Sequence, residues 1–415
     1  MQRAAEHAEL SYRVESAARL WQALADGLQG LARCEALRRA GRIMLLNGRL
    51  QGAQAALEEV LMCAREQQSD WMELLAARDL ADVHWAAGRM KEAEGLCRAT
   101  AAAVKQTTAP RRKGWAFGAL ARICLATGQT VEAEQYFQQA IVAAREGGNR
   151  VAESAGLGGL ALLYHQTGRT QQADATAEQS ICAAREAGDK RSEGVALGNR
   201  ALLYMETGRV QQAEGLLLQA LAVARDVGHR QFEGVALNNL AGLCHKAGRL
   251  ADAEQLLLRA MDIHREVGDR VTLGVALGNL AILWRDAGKH AQAERAFGES
   301  LAIHRETGDR RNQGSMLGNL AVLYARTSRL QEAELLFAQA IGMAREVGNR
   351  RSEGLHLCDQ SLLRLAQARV ADARLDWCRG ADLLAAVGDT AAMARKAAEM
   401  RAECAKAGVT PFDVT

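Results

Sequence analysis

Small and apolar positions recur along this chain with two nested periods. Within a segment they return every three or four residues, the spacing that places them on one face of an α-helix. Across segments the whole pattern returns every 40 residues. In residues 189–228, Leu197, Ala201 and Tyr204 form one stripe, and Ala213, Leu217, Ala220 and Leu221 form a second. Breaks keep the same register. Glycines stand at 148, 188, 228, 268, 308, 348 and 388, and a second series runs 48, 88, 128, 168, 208, 248 and 288 before continuing as Ser328 and Ala368. A third series is alanine throughout: Ala53, Ala93, Ala133, Ala173, Ala213, Ala253, Ala293, Ala333 and Ala373.

Each unit therefore predicts two antiparallel helices. Asp189 is placed to cap the first, its carboxylate accepting from free amides of the opening turn. Gly208 ends that helix in the left-handed conformation that costs glycine nothing. The second helix is expected from about Val210 to Val227. Asn149, Asp269, Asp309, Asn349 and Asp389 repeat the cap, and His229 reads as the one poor cap. The alanine series fits a crossing where two helices approach closely. A leucine there would overpack it by roughly 1–3 kcal/mol. Leu217, Leu257, Phe297 and Phe337 are expected to fill the gaps between units.

Nine units are expected from about residue 34 to 390. Residues 34–113 are degenerate, with Arg38, Arg39 and Arg42 in place of the usual pattern and Asp79 where later units carry asparagine. Residues 114–390 are regular. Residues 1–33 read as a helical cap, and residues 391–415 as a capping helix with a loose tail from Gly408.

Composition narrows the class. Two prolines, Pro110 and Pro411, in 415 residues fall far below the usual roughly 5%, which suits a nearly all-helical chain. Lys and Arg number 52 against 49 Asp and Glu, so the strong positive field of a dedicated nucleic-acid binder is missing. Nine scattered cysteines show no C-x-x-C pair, which points away from zinc knuckles and redox motifs. No apolar run approaches the ~18 residues of a membrane span, and residues 1–7 show no apolar signal core. A reducing cytoplasm is the expected setting, with no membrane partner.

Leu237, Leu240, Ala241, Cys244, Gly248, Ala253, Leu257 and Ala260 follow the packing pattern of the tetratricopeptide repeat. The unit is 40 residues rather than the usual 34. In that length, and in Ala-Leu-Gly-Asn-Leu-Ala (276–281) and His-Arg-Glu-Val-Gly-Asp-Arg (264–270), it resembles spindle-orientation adaptors of the Pins type and, more loosely, kinesin light chains. The resemblance implies an all-α fold, a right-handed α-α superhelical solenoid of about nine helix-turn-helix repeats. First helices would line its concave face.

The same resemblance places Asn199, Asn239, Asn279 and Asn319 in that groove, where family members hold a peptide backbone through such an asparagine. An amide offers both a donor and an acceptor, so it can pair with an extended chain whatever its sequence. Gly198, Asn238, Gly278 and Gly318 precede them, and the glycines are expected to leave room for a ligand. A second role stays open, in which the asparagines bond neighbouring helices and set the angle between units. Val195, Val235, Val275, Leu202, Met205, Ile282 and Val322 fall at groove-facing offsets, with burial by adjacent units as the alternative. Arg285 and Arg326 add mixed charge beside Lys246 and Asp286. Pins-type repeats often carry arginine where this chain has Val195, Val235 and Val275. That departure favours an apolar or amphipathic partner segment over an acidic one.

Lys105, Arg111, Arg112 and Lys113 form a basic loop best read as solvated. Catalytic signatures are missing: there is no H-E-x-x-H, no phosphate-binding loop and no G-x-S-x-G. His264 and His304 stand in equivalent positions, as repetition rather than a metal pair. The expected role is a non-enzymatic scaffold or adaptor for a protein or peptide, without cofactor or metal. Two rivals are the sensor portion of a larger signalling ATPase or transcription regulator, and a helical array that binds RNA.

Overall fold

The computed structural model describes residues 1–10, 14–104 and 109–412, which form twenty-one α-helices and, among the described residues, no strand. After two N-terminal helices, Gln2–Leu10 and Val14–Asp26, nine antiparallel pairs follow in register. The first pair is Gly30–Leu46 with Leu50–Glu66, the fifth Lys190–Glu206 with Val210–Asp226, and the ninth Arg350–Ala366 with Val370–Ala386. Each pair packs on the next, giving the right-handed superhelical solenoid that the 40-residue period predicts. Thr390–Ala407 closes the array.

Local chemistry sets the helix ends. Asp189 accepts from the backbone amides of Arg191 and Ser192 at 3.0 and 3.3 Å. Asn149, Asp269, Asp309, Asn349 and Asp389 cap their helices in the same way. His229 is a better cap than its residue type suggests, because its Nδ1 accepts from the Phe232 amide at 3.1 Å. A neutral imidazole carries one acceptor nitrogen, and that is all a cap needs. Between the helices of a pair, the chain turns through one left-handed residue. Ser328 and Ala368 adopt it with φ of 63° and 58°, like the glycines they replace.

All nine alanines of the invariant series are fully buried at the helix crossing, and Leu217, Leu257, Phe297 and Phe337 fill the adjoining gaps. A clasp that the sequence pattern did not reveal ties successive units on their outer edge. Tyr204 donates to Asp174 at 3.0 Å and Arg209 pairs with the same carboxylate at 2.8 Å while covering the Tyr204 ring. Tyr324, Arg329 and Glu294 repeat the arrangement, and Trp284, Lys289 and Glu254 vary it.

The ends depart from expectation in two places. The tail beyond Gly408 is folded back: Phe412 is buried against Trp377, Met400 and Cys404, beneath the Arg374 guanidinium. Residues 413–415 lie outside the described residues. In the first unit Cys34 and Cys63 are joined by a disulfide across the two helices, their Cα atoms 6.3 Å apart. No C-x-x-C spacing marks that pair, because their 29-residue separation reflects helix pairing rather than a local motif. In the degenerate units a buried ion network replaces the asparagine row. Arg38 pairs with Asp79 at 2.8 Å and with Glu35, and Arg78 also meets Asp79.

The superhelix completes more than one turn, and its second turn rests on its first. Thr307 lies against Gly48, Val347 against Gly88 and Val387 against Gly128, each contact one 40-residue unit beyond the last. Leu50 meets Gly308 and Met90 meets Gly348 along the same seam. Burial records the closure. Val227, with no turn beneath it, is 45% exposed, whereas the equivalent Val347 is 6% exposed.

Candidate functional site

The inner wall is built from first helices, and the seam brings later turns to face it across open space. One cavity of about 540 Å³ lies between the first helices of units three to five and the turns at 349–351 and 387–389. Phe137, Leu162, Leu202 and Leu203 form its apolar side, and Asn199 and His165 its polar one. A second cavity, of about 420 Å³, lies between the first two units and the helix starts at 269–272 and 309–312. Trp85, Arg122 and Arg311 line both, so the two meet there.

Charges around this junction are mostly neutralised. Arg122 pairs with Asp82 at 2.8 Å and Arg351 with Asp389 at 2.5 Å. Asp269 accepts from Gln231 at 2.8 Å besides capping its helix. Arg311 differs. Its guanidinium stands 5.8 Å from the Trp85 ring centre, with Arg122 at 5.6 Å from the same ring, and it forms no ion pair or side-chain hydrogen bond among the described residues. Burial pushes its pKa below the ordinary guanidinium value, opposed by Asp309 and helped by Arg351.

The residues proposed for the groove divide into three groups. Asn199 and Leu202 line the larger cavity, and Val195 is exposed near them on the same helix. Val235, Val275 and Asn239 are half-buried on the inner wall. Met205, Ile282 and Val322 are partly buried against the core between units. Two asparagines are engaged inside the wall. Asn279 donates to Asn238 at 3.1 Å, Asn238 itself being buried. Asn319 donates to the Ser315 carbonyl at 3.1 Å and accepts from Arg285 at 3.4 Å. Arg285 and Arg326 both pair with Asp286.

The glycines before the asparagines do not all leave room for a ligand. The space beside Gly278 is taken by Met316, and that beside Gly318 by His356, each from the following unit. Only Gly198 of the three opens onto free space. Of the expected basic loop, Lys105 lies outside the described residues, whereas Arg111, Arg112 and Lys113 fall in the first turn of the helix Pro110–Ala126, where Pro110 fits because its missing amide hydrogen is not needed. Arg311, Arg351 and Val387 went unnoticed in sequence because they reach the site from a later superhelical turn. No helix among the described residues is long and apolar enough to cross a membrane.

A paired-helix array with a walled inner channel defines the class, an all-α repeat protein. The sequence profile of the tetratricopeptide repeat matches residues 73–146, 192–266 and 272–346, and the chain belongs to that family. The profile of anaphase-promoting complex subunit 5 also matches residues 39–78 and 153–198. No curated protein matches the chain in sequence. Among solved structures it is similar to a Rap protein complexed with competence and sporulation factor, at 12% identity and a TM-score of 0.57, over 85% of this chain and 98% of that one. Aspartyl phosphate phosphatase F from Bacillus subtilis (13%, TM-score 0.53, 84% and 93%) and the apo quorum sensor NprR from B. thuringiensis (13%, 0.52, 82% and 97%) share the fold.

Proposed function

We propose that this protein is a non-enzymatic adaptor that captures a peptide segment of a partner inside its channel, over the inner wall around Asn199 and Asn239. The observation that carries this reading is the walled cavity with the Asn199 amide on its lining, unengaged by other side chains among the described residues. An extended peptide leaves backbone N–H and C=O groups unpaired, and a free amide can satisfy one of each. Leu202, Leu203, Phe137 and Leu162 would take its apolar side chains. Asn279 and Asn319 would instead hold the wall in shape, since their amides are spent within it. The fold supports the reading too, since the Rap protein of the same fold was captured in a complex.

Peptides selected from a random library on the wild-type protein test it. The double variant Asn199→Ala, Asn239→Ala should bind them about tenfold more weakly by calorimetry, the worth of one or two hydrogen bonds, with an unchanged melting temperature. Equal affinity in the variant would refute the asparagine mechanism.

A further inference from the structure

We propose a separate site on the inner wall, in which Arg42 and Arg191 reach from opposite sides of the channel to hold an anion made of linked phosphoryl groups. It lies outside the two cavities and does not rest on the peptide reading. Leu46 and Gln231 line the smaller cavity from facing walls. Arg42 stands one helical turn before Leu46, and Arg191 holds in the fifth unit the place that Gln231 holds in the sixth. The same facing register therefore turns the two guanidiniums toward each other. Both side chains are exposed to the channel. Neither forms an ion pair or a side-chain hydrogen bond among the described residues.

The charges around them do not cancel. Arg38 and Arg78 share Asp79, and Arg38 and Arg39 share Glu35. Asp189 is spent on the amides of Arg191 and Ser192 and on the Ser192 hydroxyl. Arg38, Arg39, Arg42, Arg78 and Arg191 thus stand among Glu35, Asp79 and Asp189, an excess of two positive charges. Counting Arg122 with its partner Asp82 leaves that excess unchanged. Enclosure between the walls pushes the Arg42 pKa below the ordinary guanidinium value, opposed by Asp79 and helped by Arg78, Arg38 and Arg191. The group nevertheless stays charged at neutral pH. Opposed guanidiniums select by shape as well as by charge. A carboxylate is planar, carries one charge and turns both oxygens the same way, which suits a single fork. A phosphoryl group spreads its oxygens around a tetrahedral phosphorus and carries more than one charge, so it can accept from both walls at once. Two or three such groups in a chain match the excess.

Calorimetry at low salt, where charge pairing is least screened, tests the site with tripolyphosphate, adenosine triphosphate, orthophosphate and citrate. Wild-type protein should bind tripolyphosphate about tenfold or more tightly than orthophosphate or citrate, an order that needs no variant. Adenosine triphosphate separates the sources of the phosphoryl chain. Binding no tighter than that of tripolyphosphate assigns the site to the inorganic chain, and tighter binding assigns it to a nucleotide. Arg42→Gln and Arg191→Gln should each weaken tripolyphosphate about tenfold or more, the usual cost of removing one partner of a close charge pair. Circular dichroism checks that both variants keep their helices. Wild type that fails to bind tripolyphosphate, citrate bound as tightly, or unaltered affinity in either folded variant overturns the site. None of these results touches the peptide reading, which the asparagine variants test by themselves.

Discussion

His264 and His304 show how far a single side chain can be read. Both are fully buried where most units carry alanine, and each ring presses on a glycine of its own unit's first helix, Gly234 or Gly274. A Cβ on those glycines would stand 2.7 and 2.8 Å from the ring. The sequence showed the histidines repeating but not the glycines that admit them, since that match is made between helices. Neither nitrogen of His264 has a hydrogen-bond partner. Burial lowers the pKa of both rings, and Asp269 and Asp309, the charged groups facing them, offset only part of that. In the unfolded chain a histidine takes up a proton below about pH 6.5. In the folded protein that uptake is shifted to lower pH, so stability falls as pH drops through that value toward the lower folded pKa. Thermal melting at pH 7.5 and 5.5 checks this: the wild-type midpoint should fall further than that of a His264→Leu, His304→Leu protein.

At the scale of one helix pair, most of the structure was legible because it is local. Caps, left-handed turn residues and the alanine crossing are each set by a few neighbouring side chains, and they recur at the expected positions. Exceptions arise where one residue acts alone, as when the Phe412 side chain finds a buried place beside Trp377. The turn at Ala368 offers a direct test. Its φ of 58° strains a residue with a Cβ by roughly 1–2 kcal/mol, more than the roughly 0.5–1 kcal/mol of backbone entropy that glycine loses. Ala368→Gly should therefore stabilise the protein by about 0.5 kcal/mol, read as a rise in the urea midpoint. A fall would show that the ninth pair holds this turn without strain.

The whole molecule was the least legible. Rotation from one unit to the next is small, and its sum decides whether a second turn lands on the first. No local pattern encodes that sum. The groove residues expected from sequence therefore included Asn199 and Leu202 but lacked the opposite wall, Arg311, Arg351 and Val387. Val347, buried against Gly88, tests the seam. Val347→Asp places a carboxylate there without a built partner, which should disfavour closure by about 1–3 kcal/mol. The radius of gyration should rise while the helical circular-dichroism signal stays the same. An unchanged radius would mean that the neighbouring contacts at Thr307 and Val387 hold the turns together by themselves.

Because one turn of the coil rests on the other, the far wall of the channel is also a joint in the scaffold. A guest seated between the two walls would be gripped only while they keep their spacing, so its residence time would depend in part on contacts it never touches. Loosening those distant contacts would shorten the stay even with every group around the guest intact.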